Sequence, residues 1–119
     1  MDERIRRSER IRSRKDFSGL YRNGSRVRAR FFHLVFRLNS LGYGRFAVVA
    51  GKKVGTAVAR NRIKRLARDV YRRHKGLLPP GLDLIIVARP ETAGAGRAEM
   101  ENGLLEAFGK IAMNIDRTR

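Results

Sequence analysis

The sequence predicts an α/β (α+β) two-layer sandwich, one mixed sheet with helices packed against it in αβββαβα order. Three observations predict it. The run Leu82 to Ala88, LDLIIVA, is almost wholly apolar and lies between Pro79-Pro80-Gly81 and Arg89-Pro90, as a strand buried on both faces would. Two earlier segments, FFHLVFRL from Phe31 and RFAVVA from Arg45, are rich in aromatic and β-branched residues. Between these strands and the apolar run, apolar residues recur at helical spacing through Ala59, Ile63, Leu66, Ala67 and Val70.

With 119 residues, 42% of them hydrophobic, the chain has material for one compact core and is expected to form a single domain over 1–119. Residues 1–15 are a charge run with few apolar groups, and Met1 to Glu9 are expected to form a flexible basic tail. From Asp16 the pattern becomes helical: Phe17, Leu20 and Tyr21 share a face, and Asn23-Gly24 closes the segment. In the strand that follows, Phe32, Leu34, Phe36 and Leu38 fall on one face, and Phe31, His33, Val35 and Arg37 on the other. The loop 39–44 leads to Arg45–Ala50, and the two strands are expected to pair as an antiparallel hairpin. A final helix is expected from Arg97 to Ile115, with Leu104, Phe108, Ile111 and Ile115 as its apolar stripe.

Charge restricts the partners. Lys and Arg number 28 against 11 acidic residues, a formal net charge of +17. Such a field attracts phosphate, and counterion release supplies affinity without any base-specific contact. A membrane surface is the rival polyanion, but no long apolar run and no basic helix with a bulky apolar opposite side is present. Cysteine is absent, which excludes disulfides and thiolate metal sites, and the N-terminus lacks the apolar stretch of a secretory signal, so the cytoplasm is the expected location.

The most informative segment is Lys52 to Arg73, KKVGTAVARNRIKRLARDVYRR. On a helical wheel its apolar positions fall on one side, and Asn61, Lys64, Arg65, Arg68 and Arg72 on the other. Arg60 and Arg62 lie at the margins, where a long stem can cover apolar surface while the guanidinium reaches solvent. An ordinary solvated face mixes signs to gain i,i+4 ion pairs; here Asp69 is the only acid from Lys52 to Arg73. A helix that accepts this repulsion has a polyanion to relieve it.

The lysine pair Lys52-Lys53, then Gly55, Ala57-Val58 and Arg60-Asn61-Arg62-Ile63-Lys64-Arg65, resembles the signature of the bacterial ribonuclease P protein component. The similarity runs from about Arg10 to Phe108 and includes an Arg-x-x-x-Asp-Phe entry at Arg12, Asp16 and Phe17. The resemblance implies a ribonucleoprotein endoribonuclease whose RNA subunit is the catalyst, with Mg²⁺ held mainly by RNA. This chain would be its accessory protein, assisting removal of the 5′ leader from precursor tRNA. It further implies that Arg60, Asn61, Arg62, Lys64, Arg65 and Arg68 contact the catalytic RNA, and Arg72, next on the same helical stripe, is expected to join them. Phe17, Tyr21, Lys52, Lys53 and Arg89 would bind the single-stranded leader in a cleft between the first helix and the sheet. A left-handed β-α-β crossover is implied as well, against the usual rule. Aromatic platforms beside a basic track suit single-stranded RNA of variable sequence. Phe17 and Tyr21 are four residues apart on one helix face; Phe17 serves equally as a platform or as a core anchor, and Tyr21, with its polar tip, leans to the surface.

Other signals carry less. Gly42-x-Gly44-x-x-Ala47 precedes a strand instead of following one, so it is expected to be a turn and not a dinucleotide fingerprint. His33 and His74 have no ligand-spaced neighbours, and the carboxylates are scattered. No nucleophile-base-acid set and no metal cage is legible, so no catalytic residue, metal site, small-molecule substrate or membrane partner is expected of the chain itself. The competing class is a ribosomal-type structural RNA-binding protein. A helix-turn-helix DNA binder fits less well, because no short helix and tight turn precede the basic helix.

Overall fold

A computed structural model describes residues 7–118. The elements are α1 (Arg14–Asn23), β1 (Ser25–Arg28), β2 (Phe32–Leu38), β3 (Arg45–Val49), α2 (Ala57–His74), β4 (Leu82–Ala88) and α3 (Arg97–Thr118). Short 3-10 turns at Arg7–Glu9, Lys52–Val54, Lys75–Leu77 and Pro90–Thr92 join them.

Local chemistry sets the helix ends. The Ser13 hydroxyl accepts from the Asp16 N–H at the start of α1, and the Thr56 hydroxyl accepts from the Ala59 N–H, 3.2 Å away, at the start of α2. Gly24 closes α1 by donating its N–H to the Leu20 carbonyl at 2.8 Å; a Cβ there would stand 2.6 Å from that same oxygen, so no side chain fits. Gly55 turns the chain into α2 at φ 143°, a conformation open to glycine.

The sheet order is β1-β2-β4-β3. β1 pairs antiparallel with β2, β2 antiparallel with β4, and β3 parallel with β4. The expected hairpin between Phe31–Leu38 and Arg45–Ala50 is therefore corrected: these strands share a sheet without touching, and β4 lies between them. The physical reason is burial. Leu82 to Ile86 are all buried, and a central position, flanked by strands on both edges and lying under helices on both faces, buries so apolar a strand best. The hairpin partner of β2 is instead the short β1, whose sequence Ser-Arg-Val-Arg carries only one apolar residue.

Helices α2 and α3 cover one face of the sheet through a large core that includes Phe32, Leu34, Phe36, Phe46, Leu84, Ile86, Leu66, Val70, Leu104 and Phe108. Tyr71 joins it, its ring stacked on Phe46 at 4.1 Å between centroids. On the other face α1 covers only part of the sheet, over a small cluster of Ile11, Leu20, Val35 and Ile85. The rest of that face stays open.

Most of the expected flexible tail, residues 1–6, lies outside the described residues. Residues 7–9 are described. They form a 3-10 turn, and the Glu9 carboxylate holds the Lys75 ammonium at 2.9 Å. The next residues run beside β3: Arg10 bridges Phe46 in parallel, and the Ile11 N–H donates to the Phe46 carbonyl at 2.9 Å.

Candidate nucleic-acid interface

Thr56 and Gly55 start α2 so that its apolar stripe, Ile63, Leu66, Ala67, Val70 and Tyr71, turns inward. The opposite side then has no choice but solvent. Asn61, Arg62, Arg65 and Arg68 are exposed, Arg60 and Lys64 half-buried. None of the five cations Arg60, Arg62, Lys64, Arg65 and Arg68 meets a carboxylate among the described residues. The Arg60 Nε is buried and has no hydrogen-bond partner there. Arg72 stands apart from the stripe it extends. Its guanidinium donates to the Asp69 carboxylate at 2.7 Å, and the same carboxylate takes Arg73 and Arg97, each at 3.2 Å. The Arg72 hydrogen bond, helped by the neighbouring arginines, holds Asp69 below the usual carboxylate range.

The second surface is the open part of the sheet beside α1. Residues of one parity face it: Arg26 and Arg28 from β1, His33 and Val35 from β2, Val87 from β4, and Ala47 and Val49 from β3. Phe17 and Tyr21 form its helical wall, with ring centroids 5.2 Å apart. Both rings are half-buried: one edge packs on the small cluster and the remainder is accessible. The Arg26 guanidinium donates to the Tyr21 carbonyl and lies 5.9 Å over its ring. Tyr21, Arg26, Arg28, His33 and Val87 line a recess of 210 Å³. Burial, with Arg89 and Arg28 nearby, pushes the His33 imidazole below its ordinary range.

Lys52, Lys53 and Arg89 come to one end of the sheet, where the parallel strands β3 and β4 finish and the turns at 52–54 and 90–92 meet. The lysines are exposed. Arg89 is more constrained: its guanidinium donates to the Ala29 and Arg30 carbonyls at 2.9 and 3.0 Å and pairs with Glu91 at 2.8 Å. It clamps the turn between β1 and β2, with its charge at the cleft's end.

Sequence reasoning missed the group that positions the aromatic wall. Arg45 on β3 makes a two-pronged pair with the buried Asp83 carboxylate at 2.7 and 3.0 Å and reaches Asp16 of α1 at 3.1 Å. Asn39 donates a further hydrogen bond to Asp83 at 2.7 Å. The Asp83 hydrogen bonds hold Arg45 all the more firmly in its charged form. A lone aspartate inside LDLIIVA was the available signal, since a buried carboxylate needs a cation. Arg26, Arg28 and His33 gave none, because their faces depend on sheet register. Among the described residues no three histidines or carboxylates come together as metal ligands, and no helix is long and apolar enough to cross a membrane.

Fold and site together define a small basic α+β protein with one cation-only helix face and one aromatic-walled basic cleft. The chain belongs to the ribonuclease P protein family: the family model Ribonuclease P matches residues 5–112. It is 38% identical over 89 residues to the ribonuclease P protein component of Thermotoga maritima, covering 75% of this chain and 76% of that one. The solved structure of the Thermotoga maritima RNase P protein superposes with a TM-score of 0.79 at 31% identity, covering 87% of this chain and 97% of that chain. The Staphylococcus aureus RNase P protein gives a TM-score of 0.78 at 28% identity, over 91% and 94%. Membership ties the chain to ribonuclease P and to tRNA processing.

Proposed function

We propose that this chain is the protein subunit of a ribonucleoprotein ribonuclease P, in which the RNA subunit is the catalyst and its Mg²⁺ ions are held mainly by RNA. The α2 face binds the catalytic RNA, and the cleft beside α1 binds the single-stranded 5′ leader of precursor tRNA. The observation that carries this reading is the pairing of two unlike surfaces on one fold. Five cations on α2 have no acidic partner among the described residues, and two adjacent half-open rings stand beside a basic track. The first suits a folded RNA's phosphates, the second unpaired nucleotides that stack. In this reading the chain's part is charge neutralisation and leader affinity.

Reconstitution with a bacterial ribonuclease P RNA tests the reading. The protein should raise Mg²⁺-dependent cleavage of precursor tRNA at low salt, while rigorously RNA-free protein leaves the substrate intact. Tyr21→Ala should weaken holoenzyme binding of leader-bearing tRNA by about 1–3 kcal/mol, a typical stacking loss, and leave leaderless tRNA almost unchanged. Equal losses on both ligands, or cleavage by the protein alone, would overturn it.

A further inference from the structure

Where the N-terminal segment leaves the sheet, the edge of β3 is uncovered. Phe46 directs its carbonyl outward to Ile11. Backbone groups alternate along a strand, so Val48, two residues on, directs its N–H and carbonyl to the same side. The chain has by then turned away at Arg12 toward Ser13, the cap of α1, and the Val48 N–H finds no acceptor among the described residues. Arg10 and Arg12 from the N-terminal segment and Arg68 from α2 line a recess of 260 Å³ at this edge together with Val48.

Among the described residues no acid lines the recess. The carboxylates nearest in sequence are all engaged elsewhere: Glu9 holds Lys75, Asp16 holds Arg45, and Asp69 holds Arg72, Arg73 and Arg97. Three exposed arginines, brought together from two separate parts of the chain, thus line one hollow without a counter-ion among the described residues. Like charges gather at a cost, and an outward N–H beside them adds a fixed donor. The ligand this arrangement fits is a phosphate group with at least two free oxygens: guanidinium forks bind such oxygens in pairs, and a backbone N–H takes a third contact.

We infer that Arg10, Arg12, Arg68 and the Val48 N–H form a phosphodiester-binding recess on the open edge of β3. It deepens the proposed function, on which it rests, by joining the α2 face and the α1 side of the molecule through one bound backbone phosphate. The phosphate comes either from the catalytic RNA or from the leader.

The test uses alanine at 10, 12 and 68, singly and in pairs, in the full chain. The fold tolerates these changes, because Arg10 meets β3 through its backbone and all three side chains are exposed; glutamine replacements give the same cycle should an alanine variant melt low. Each single change should weaken RNA binding about threefold to tenfold. Because the side chains share one phosphate, each pair should fall short of the product of its single losses by a factor of three or more. The triple variant's log-log salt slope should drop by roughly 0.7 to 0.9 in all, one phosphate's worth, and not by three times that. Losses confined to the RNA subunit assign the phosphate to the catalytic RNA; losses confined to leader-bearing tRNA assign it to the leader. Independent, multiplicative losses, or none, would overturn the recess. A single-stranded RNA oligonucleotide of mixed sequence, read the same way, distinguishes the recess from the proposed function. Wild-type protein that ignores ribonuclease P RNA but shows the coupling on the oligonucleotide would sink the proposed function and leave the recess standing.

Discussion

From Arg60 to Arg68, α2 carries five cations and no acid; from Asp69 onward the same helix and the turn after it carry Arg72, Arg73 and Lys75, and all three meet carboxylates. Asp69 gathers Arg72, Arg73 and Arg97, Glu101 takes Arg73 at 2.7 Å, and Glu9 takes Lys75. The later cations fasten α2 to α3 and to the N-terminal segment. The earlier ones fasten nothing within the described chain. Two stretches of one helix with the same residue types thus differ in what neutralises them, and that difference, more than the charge itself, separates an interface from a brace.

The largest effect that tests this contrast falls on the earlier stretch. Replacing Arg65 and Arg68 with alanine should weaken RNA-subunit binding by roughly tenfold and reduce the log-log salt slope by about 0.7 to 0.9 for each phosphate left without its cation. Thermal unfolding of the free protein should not suffer, because no carboxylate among the described residues loses a partner. Unchanged affinity with an unchanged slope would make the face ordinary solvated surface.

Asp69→Asn is the converse experiment. It leaves Arg72, Arg73 and Arg97 with a weaker neutral acceptor and should cost about 1 kcal/mol of stability by chemical denaturation. RNA affinity should hold or rise slightly, since a negative charge is removed from a polyanion's partner. A large affinity loss would mean that Asp69 organises the interface as well.

Arg72 sharpens the boundary. Its helical stripe places it among the expected RNA-binding residues, whereas the geometry places its guanidinium on Asp69. Arg72→Ala should therefore change RNA affinity less than Arg65→Ala does, by about twofold or less, and cost roughly 0.5 kcal/mol of stability. Equal affinity losses at 65 and 72 would extend the interface through the ion-paired stretch.

The smallest effect is a pH dependence. Asp69 is held below its ordinary range by Arg72 and its neighbours, so its contribution is fully present above the unfolded carboxylate pKa of about 3.9. It is lost as pH falls from there through the depressed folded value, because the unfolded chain then binds the proton more readily. Acid titration of wild type against Asp69→Asn should show a small extra loss of stability in wild type below about pH 4. Curves that stay parallel through that range would remove the brace.

Much of this was legible in residue order. The α2 stripe follows from 3.6-residue periodicity, and the inward burial of Ile63, Leu66, Ala67 and Val70 matches it. The burial of Leu82 to Ile86 likewise follows from composition. Strand pairing did not follow. Adjacency in sequence pointed to a β2–β3 hairpin, but pairing is a contest among all strands, and the one most apolar on both faces took the centre. Tyr71 was missed because its place beside Phe46 exists only once α2 lies on β3.

By itself, then, the sequence determined the elements, the sign of the surface and the side of α2 that faces out, since these depend on local spacing and on residue chemistry. Only the tertiary structure decided which cations are spoken for. Asp69 reaches Arg97 across 28 positions, Arg45 reaches Asp16 across 29 and Asp83 across 38, and Glu9 reaches Lys75 across 66. A Coulomb interaction depends on separation in space, and no local pattern records it; among the described residues, the fold brought those carboxylates to their arginines and lysine and left the cations from Arg60 to Arg68 without one.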